Sequence, residues 1–353
     1  MASARDYFQL ARAQTAAVEG AGFPLAAWIG GAPLWILPFF VLYGILAHFG
    51  GFGENSFSDL SYDRLDPSKA AHPLVSGRMT PREALAFVYG SQAAAFALFL
   101  GMLQYSSHLS PLPLAAFFGY QILGHLYNYT GKWAKSAAVL EISGAFALGF
   151  LASGAAWTGN ATGLVWAVMV YAFLMTAFQI AVAGELKEIE RSNEKNLLRR
   201  MGSRVGPGVL GAASPTLARI HDAAVVSGAK ITGDDRPFLL TSGRSWGLGL
   251  GLSAAKAVAI GAVGYLLLGG TWGEIAFFVA FAVFYLYTVT LLRSGPFDRR
   301  RRVKIMGAGE ATSYLVLVFA LAPALWPWLL AAFLVLPVLR FTGIKICIWW
   351  CWV

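Results

Sequence analysis

The chain has 353 residues, 57% of them hydrophobic and 13% charged, with a net charge of +9 and a mean hydropathy of +0.60. A soluble domain carries about twice that share of charge, so the composition excludes an ordinary water-soluble globule and points to a helical membrane protein. The surplus of Lys and Arg reads as a topology signal rather than as a nucleic-acid surface.

The first 20 residues, MASARDYFQLARAQTAAVEG, are polar and lack the apolar core and cleavage site of a secretory leader. Residues 1–12 read as a cytoplasmic segment. Apolar runs of about 18–25 residues, long enough to cross ~30 Å of hydrocarbon, predict spans near 13–31, 33–53, 83–106, 109–128, 136–158, 161–184, 246–268, 271–292 and 308–325. A last stretch, near 326–341, reads as a tenth span or as the far half of a ninth kinked at Pro323, Pro327 or Pro337. The expected fold class is all-α: one polytopic membrane domain over 1–353, a bundle of nine helices, or ten, around a central cavity. Two long loops, 54–82 and 185–245, carry acidic as well as basic residues. The second is predicted to open with one helix over 184–202, capped by Gly202, and to hold a short amphipathic helix near 215–226. The tail, 342–353, contains Cys347 and Cys351, which give neither a disulfide framework nor a prenylation box.

The loop cations alternate. They are Arg5 and Arg12 before the first span, then Arg64 to Arg82, Lys132 and Lys135, Lys187 to Arg244, Arg293 to Lys304, and Arg340 and Lys345, while the turns near 31–33, 107–109, 158–161 and 269–271 carry none. The positive-inside rule assigns the first set to the cytoplasm. Lys256 breaks the pattern, about ten residues inside the seventh span. Such a lysine either faces a cavity or carboxylate as a functional group, or snorkels to the surface.

Asn55, Asp59 and Asp63 are spaced i, i+4, i+8, so a helix continuing from the second span stacks them on one side. Oxygen ligands in that pattern suit a hard cation such as Mg2+ bridging to phosphate; the alternative is a solvated helix end. Glu185 and Glu188, i and i+3, share a face just past the sixth span. Helix ion pairs account for Glu188 and Glu190 better than for Glu185. Lys69, Lys132 and Lys135 could neutralise a diphosphate leaving group, although each alone is equally a topology residue. Glu19 and Glu141 lie within spans as candidate cavity residues. His48, His108, His125 and His221 lack metal-ligand spacing and read as structural; His125 is notable for lying two residues before Tyr127.

The run Asn55-Ser-Phe-Ser-Asp59-Leu-Ser-Tyr-Asp63, followed by Lys69 and by His72-Pro73-Leu-Val-Ser76-Gly77, resembles the first signature of the UbiA superfamily of intramembrane prenyltransferases, N-D-x-x-D-x-x-x-D and then R-P-[IL]-x-S-G. Tyr127 with Lys132 and Lys135 looks like the family's tyrosine-then-lysine segment, and Glu185 with Glu188 falls where its second acidic motif stands. The chain departs at Ser56 for an aspartate, at His72 for an arginine, and in using glutamates in the second motif.

The resemblance implies an integral protein of the cell membrane with its active site facing the cytoplasm. Mg2+ would be held by Asn55, Asp59, Asp63, Glu185 and Glu188, with Asp59 and Asp63 as catalytic ligands. Lys69, His72, Tyr127, Lys132 and Lys135 would bind substrate. The partners would be a polyprenyl diphosphate, a lipophilic or aromatic acceptor and membrane lipids, with no nucleic acid. The same ionisation captured by the donor's own double bonds would make a terpene cyclase. The run from Asp63 to Lys69 also suits phosphoribosyl-type transfer to a polyprenyl phosphate, and the altered second motif leaves room for a non-catalytic membrane protein of this fold.

Overall fold

The computed structural model describes residues 2–65, 69–106, 109–130, 135–187, 189, 196–207 and 237–324. Nearly all of it is helix. Seven stretches among the described residues are long and apolar enough to cross a membrane: Leu34–Ser58, Pro81–Ser106, Ala137–Ala155, Gly163–Lys187, Gly243–Leu268, Gly270–Leu292 and Arg299–Ala320. The chain divides into two compact units, Met1–Phe173 and Leu174–Gly343.

In the first unit a short helix, α1 (Ala4–Leu10), precedes α2 (Ala17–Ile29), α3 (Leu37–Ser58), α4 (Leu60–Asp63), α5 (Pro81–Ser106), α6 (Pro111–Tyr129), α7 (Lys135–Ala155) and the start of α8 (Gly163–Phe178). The first expected span differs from expectation. At 13 residues, α2 measures about 20 Å, short of the hydrocarbon thickness. A 3-10 turn over Ala13–Thr15 takes up the preceding residues. α2 is nonetheless packed inside the unit, against α3 and α7, and its Phe23, Ala26 and Ala27 are buried. Glycine makes the close approaches possible: a Cβ on Gly30 would collide with the carbonyl of Gly154, and one on Gly44 with the backbone of Glu19. Phe23, Tyr43, Phe99, Phe117 and Phe150 fill the centre, with Phe99 stacked on Phe117 at 4.9 Å and Phe23 on Tyr43 at 5.2 Å. Trp35, Tyr105 and Trp157 cluster at 5.2–6.5 Å beside the cation-free turns, the arrangement of an interfacial aromatic belt.

The second unit begins in α8, where a π-helical turn over Gln179–Gly184 leads into α9 (Glu185–Lys187). Next come α10 (Leu197–Arg200), β1 (Arg204–Pro207), β2 (Pro237–Leu240), α11 (Gly243–Leu268), α12 (Gly270–Leu292), β3 (Gly295–Pro296) and α13 (Arg299–Ala320). The single helix expected over 184–202 is broken. Asn196 is extended, and its Oδ1 accepts from the backbone of Arg199 to cap a new helix, a contact that favours starting over continuing. Gly202, at φ +99°, ends that helix as expected. A small antiparallel sheet of order β1-β2-β3 was not foreseen; Val205 pairs with Leu239 and Phe238 with Pro296. Leu239 joins Phe178, Leu186, Leu198, Leu291, Phe297 and Met306 in the core beneath it. Arg302 is buried and donates to the carbonyls of Thr290, Leu291 and Arg293, closing the C-terminus of α12. The expected stretch at 326–341, the tail and the amphipathic segment at 215–226 lie outside the described residues.

The Gly30 contact makes a stability prediction. Gly30→Ala should lose about 1–3 kcal/mol through overpacking against backbone, read as a lower melting temperature in detergent. Gly90→Ala, where a Cβ meets nothing within 4 Å, should leave it unchanged or raised.

Candidate active site

In the first unit the acidic motif sits where α3 runs out. Asp59 keeps right-handed backbone as the α3 cap, and the amide of Asp59 bonds to the carbonyl of Asn55, and that of Asp63 to Asp59, both at 2.9 Å. The helical phase therefore carries across the α3–α4 junction, and Asn55, Asp59 and Asp63 occupy successive turns, all half-buried. Lys69 Nζ stands 3.9 Å from Asp63 Oδ2.

A cluster of cations lies beside them. His72 is lowered to about 4, first by burial and then by the charges of Lys69, Arg12 and Arg78. Its Nδ1 is buried and has no hydrogen-bond partner among the described residues, a state that costs about 1–3 kcal/mol. Arg12 is the one non-glycine described residue with positive φ, +47°. Its guanidinium lies 5.7 Å over the ring of Phe52, one turn before Asn55. Arg78 bonds Asp6 at 2.9 Å, Gln9 at 3.1 Å and the carbonyl of Ala71 at 2.9 Å, tying α1 to this loop. The bonds from Ser3 and Arg78 hold the Asp6 carboxyl at about 2. Arg12 and Asp6 were missed in the sequence because their roles depend on α1 folding back.

A second set of contacts was also missed. Glu54 is 2% exposed. Its Oε1 lies 2.6 Å from His125 Nδ1, and its Oε2 accepts from Asn128 Nδ2 at 2.9 Å. Asn128 Nδ2 also donates to the carbonyl of Gly51, and its Oδ1 accepts from Asn55 Nδ2 at 3.2 Å. The available signal was a carboxylate at the membrane end of an apolar helix. Tyr127 is half-buried on α6, one residue before Asn128.

The donor set of the first motif fits Mg2+: two carboxylates and an amide whose nitrogen is engaged elsewhere, leaving its oxygen as a ligand. The orphaned His72 nitrogen and the cations around it fit an anion. Among the described residues no three His, Cys, Asp or Glu converge as a metal cluster. The expected set counts an amide, and Glu188, like Lys132 and the side chain of Lys135, lies outside the described residues.

In the second unit Glu185 is buried. Its Oε2 accepts from the backbone of Leu197 at 2.6 Å, and its carbonyl accepts from Asn196 at 2.6 Å. At least one of the oxygens assigned to a metal thus holds the start of α10. Lys256 is 1% exposed. Its Nζ lies 3.9 Å from the ring centre of Phe284, 4.4 Å from Phe178 and 5.9 Å from Tyr287. Three ring faces take the place of the carboxylate or the snorkelling path expected from the sequence, at a worth of about 2 kcal/mol when desolvated. In the first unit, Glu19 and His48 form a buried pair at 2.8 Å, and Glu141 accepts from the Thr130 hydroxyl at 2.9 Å.

A family model described as the UbiA prenyltransferase family matches residues 20–209. The chain belongs to this family. The matched UbiA region contains the first motif, the Tyr127 segment and Glu185, and membership makes the expected enzyme class, a prenyltransferase, that of the family. A 4-hydroxybenzoate octaprenyltransferase of Saccharophagus degradans is 28% identical over 152 residues, covering 42% of this chain and 48% of that relative. The match spans about half the length of the curated relative. Two solved UbiA homologues share the fold: one from Archaeoglobus fulgidus, bound to GPP and Mg2+ (TM-score 0.53, 16% identity, 88% of this chain and 99% of that one), and an apo form from Aeropyrum pernix K1 (0.51, 16%, 90% and 96%). A digeranylgeranylglyceryl phosphate synthase structure is similar at TM-score 0.56, with 15% identity over 90% of this chain and 96% of that one.

Two outcomes follow. The folded chain disfavours protonated His72, so its contribution to stability is complete above the ordinary value of 6.5 and is lost as pH falls from there towards 4. Melting curves between pH 7 and 4 should fall more steeply for the wild type than for His72→Phe; superimposable pH profiles would contradict this. Lys256→Met, similar in volume, should be as stable as the wild type or more so, whereas Phe284→Ala should lose about 3–5 kcal/mol in the same melting assay.

Proposed function

We propose that the protein is a Mg2+-dependent intramembrane prenyltransferase, which moves an isoprenyl group from a polyprenyl diphosphate to a lipophilic or aromatic acceptor. The observation that carries this is the stack of Asn55, Asp59 and Asp63 on one helical face, with the Arg12, Lys69, His72 and Arg78 cluster beside it, in a chain of the UbiA family. The GPP and Mg2+ bound by the Archaeoglobus fulgidus homologue support the donor class and the metal. The hydroxybenzoate relative and the glyceryl phosphate synthase support aromatic and lipid acceptors.

In this reading Asn55, Asp59 and Asp63 would hold the metal, and Glu185 and Glu188 stand as the family's second acidic motif. Bound Mg2+ would neutralise charge on the diphosphate as the C–O bond breaks. Lys69 and Arg12 add fixed positive charge, and His72, neutral at pH 7, offers a hydrogen-bonding ring. Lys132, Lys135 and Tyr127 complete the substrate contacts. The apolar helices shelter the prenyl tail and keep water from the allylic cation. The cation-bearing turns support an active site that faces the cytoplasm.

Purified protein given Mg2+, labelled geranylgeranyl diphosphate and a membrane lipid extract should yield diphosphate and a prenylated lipid. Asp59→Asn should lower turnover about 100-fold or more. A wild type that releases no diphosphate would refute the reading, and a hydrocarbon product formed without added lipid would replace it with cyclisation.

A further inference from the structure

Among the described residues the first unit contains two histidine–glutamate pairs, built differently. In the first, His48 is 1% exposed, and both ring nitrogens are occupied: Nδ1 by Glu19 at 2.8 Å, Nε2 by the Thr15 hydroxyl at 3.1 Å and the Arg12 carbonyl at 3.3 Å. That imidazole is closed on all sides and serves packing. In the second, the Glu54 carboxylate is buried and saturated, Oε1 by His125 Nδ1 at 2.6 Å and Oε2 by Asn128 at 2.9 Å. The His125 side chain, however, is 56% exposed. A buried carboxylate on Nδ1 fixes the tautomer with the proton on that nitrogen, so the lone pair belongs to Nε2, which makes no hydrogen bond among the described residues. The pair also adjoins the candidate metal ligands: Asn128, which holds Glu54 Oε2, holds Asn55 Nδ2 at 3.2 Å through its own Oδ1.

We propose that His125, oriented by Glu54, is the proton acceptor for a hydroxyl-bearing acceptor, a phenol or an alcohol, in prenyl transfer. This rests on the prenyltransferase reading above. The donor C1–O bond breaks, with its electron pair leaving on the diphosphate. A lone pair of the acceptor oxygen forms the new bond to C1, and the acceptor proton passes to His125 Nε2. The resulting imidazolium faces the Glu54 carboxylate through Nδ1–H, and Nε2 returns the proton to water after product leaves. No other reactant is needed. Asn128 is a positioning residue, holding the carboxylate and Asn55 in one frame.

Two measurements test this. Diethyl pyrocarbonate, which acylates an accessible imidazole lone pair, should modify His125 and spare His48 in the intact protein; an unreactive His125 would overturn the proposal. In the assay with geranylgeranyl diphosphate and lipid extract, diphosphate and prenylated product are counted separately. His125→Ala should lose about 100-fold in transfer, within the usual range for a general base, with diphosphate release falling about threefold or less and with added imidazole restoring product. His125→Gln, whose amide can still donate to Glu54, should show the same split and guards against misfolding. Equal loss of both products, or no loss of transfer, overturns the role of His125 alone. A wild type that releases no diphosphate overturns the prenyltransferase reading with it.

Discussion

The carboxylate of Glu54 lies four residues from the end of the apolar helix α3, in surroundings where an unpaired charge would cost several kcal/mol. Its two oxygens need two donors, and both come from α6, three residues apart on one face of that helix. This requirement fixes the register of α3 against α6. Asn55 is then caught by Asn128, and the remaining polar residues of α3 and α4 emerge in phase behind it. The geometry of the first motif depends on this buried charge, which lies just outside the motif.

Much of the fold was legible because hydrocarbon demands long apolar runs, and the seven helices long and apolar enough to cross, among the described residues, each overlap a predicted span. The phase of Asn55, Asp59 and Asp63 was legible too, since a period of four is local. What the sequence hid depends on distant residues. Glu54 is one position out of phase with the motif, and its partners lie more than 70 residues away. The rings around Lys256 come from positions 178, 284 and 287, which no periodicity links. The break at Asn196 was missed because charged residues favour helix on both sides of it, while the deciding contacts, a side-chain cap and a bond to the carbonyl of Glu185, are tertiary or conformational. The short α2 was read as a span because an apolar run looks the same in a half-length helix.

The two units neutralise buried charge by different means. In the first, acidic groups meet imidazoles and amides, directional partners that fix rotamers and tautomers. In the second, two buried cations are held by other means, Lys256 by ring faces and Arg302 by backbone carbonyls. An aromatic cage tolerates small shifts of the ammonium that a hydrogen-bonded carboxylate would not. Precise geometry therefore accompanies the acidic motif, and softer packing surrounds the lysine.

Arg302 carries one more consequence. In the unfolded chain it belongs to the run Arg299 to Arg302, the strongest cluster of positive charge between two spans and thus an instruction for orientation during insertion. In the finished structure the same guanidinium is buried against the carbonyls that end α12. One residue serves first as a signpost and later as a clasp. The two uses are separated in time: the charge is read while the loop is still open, and the clasp closes only after α12 and α13 have both arrived.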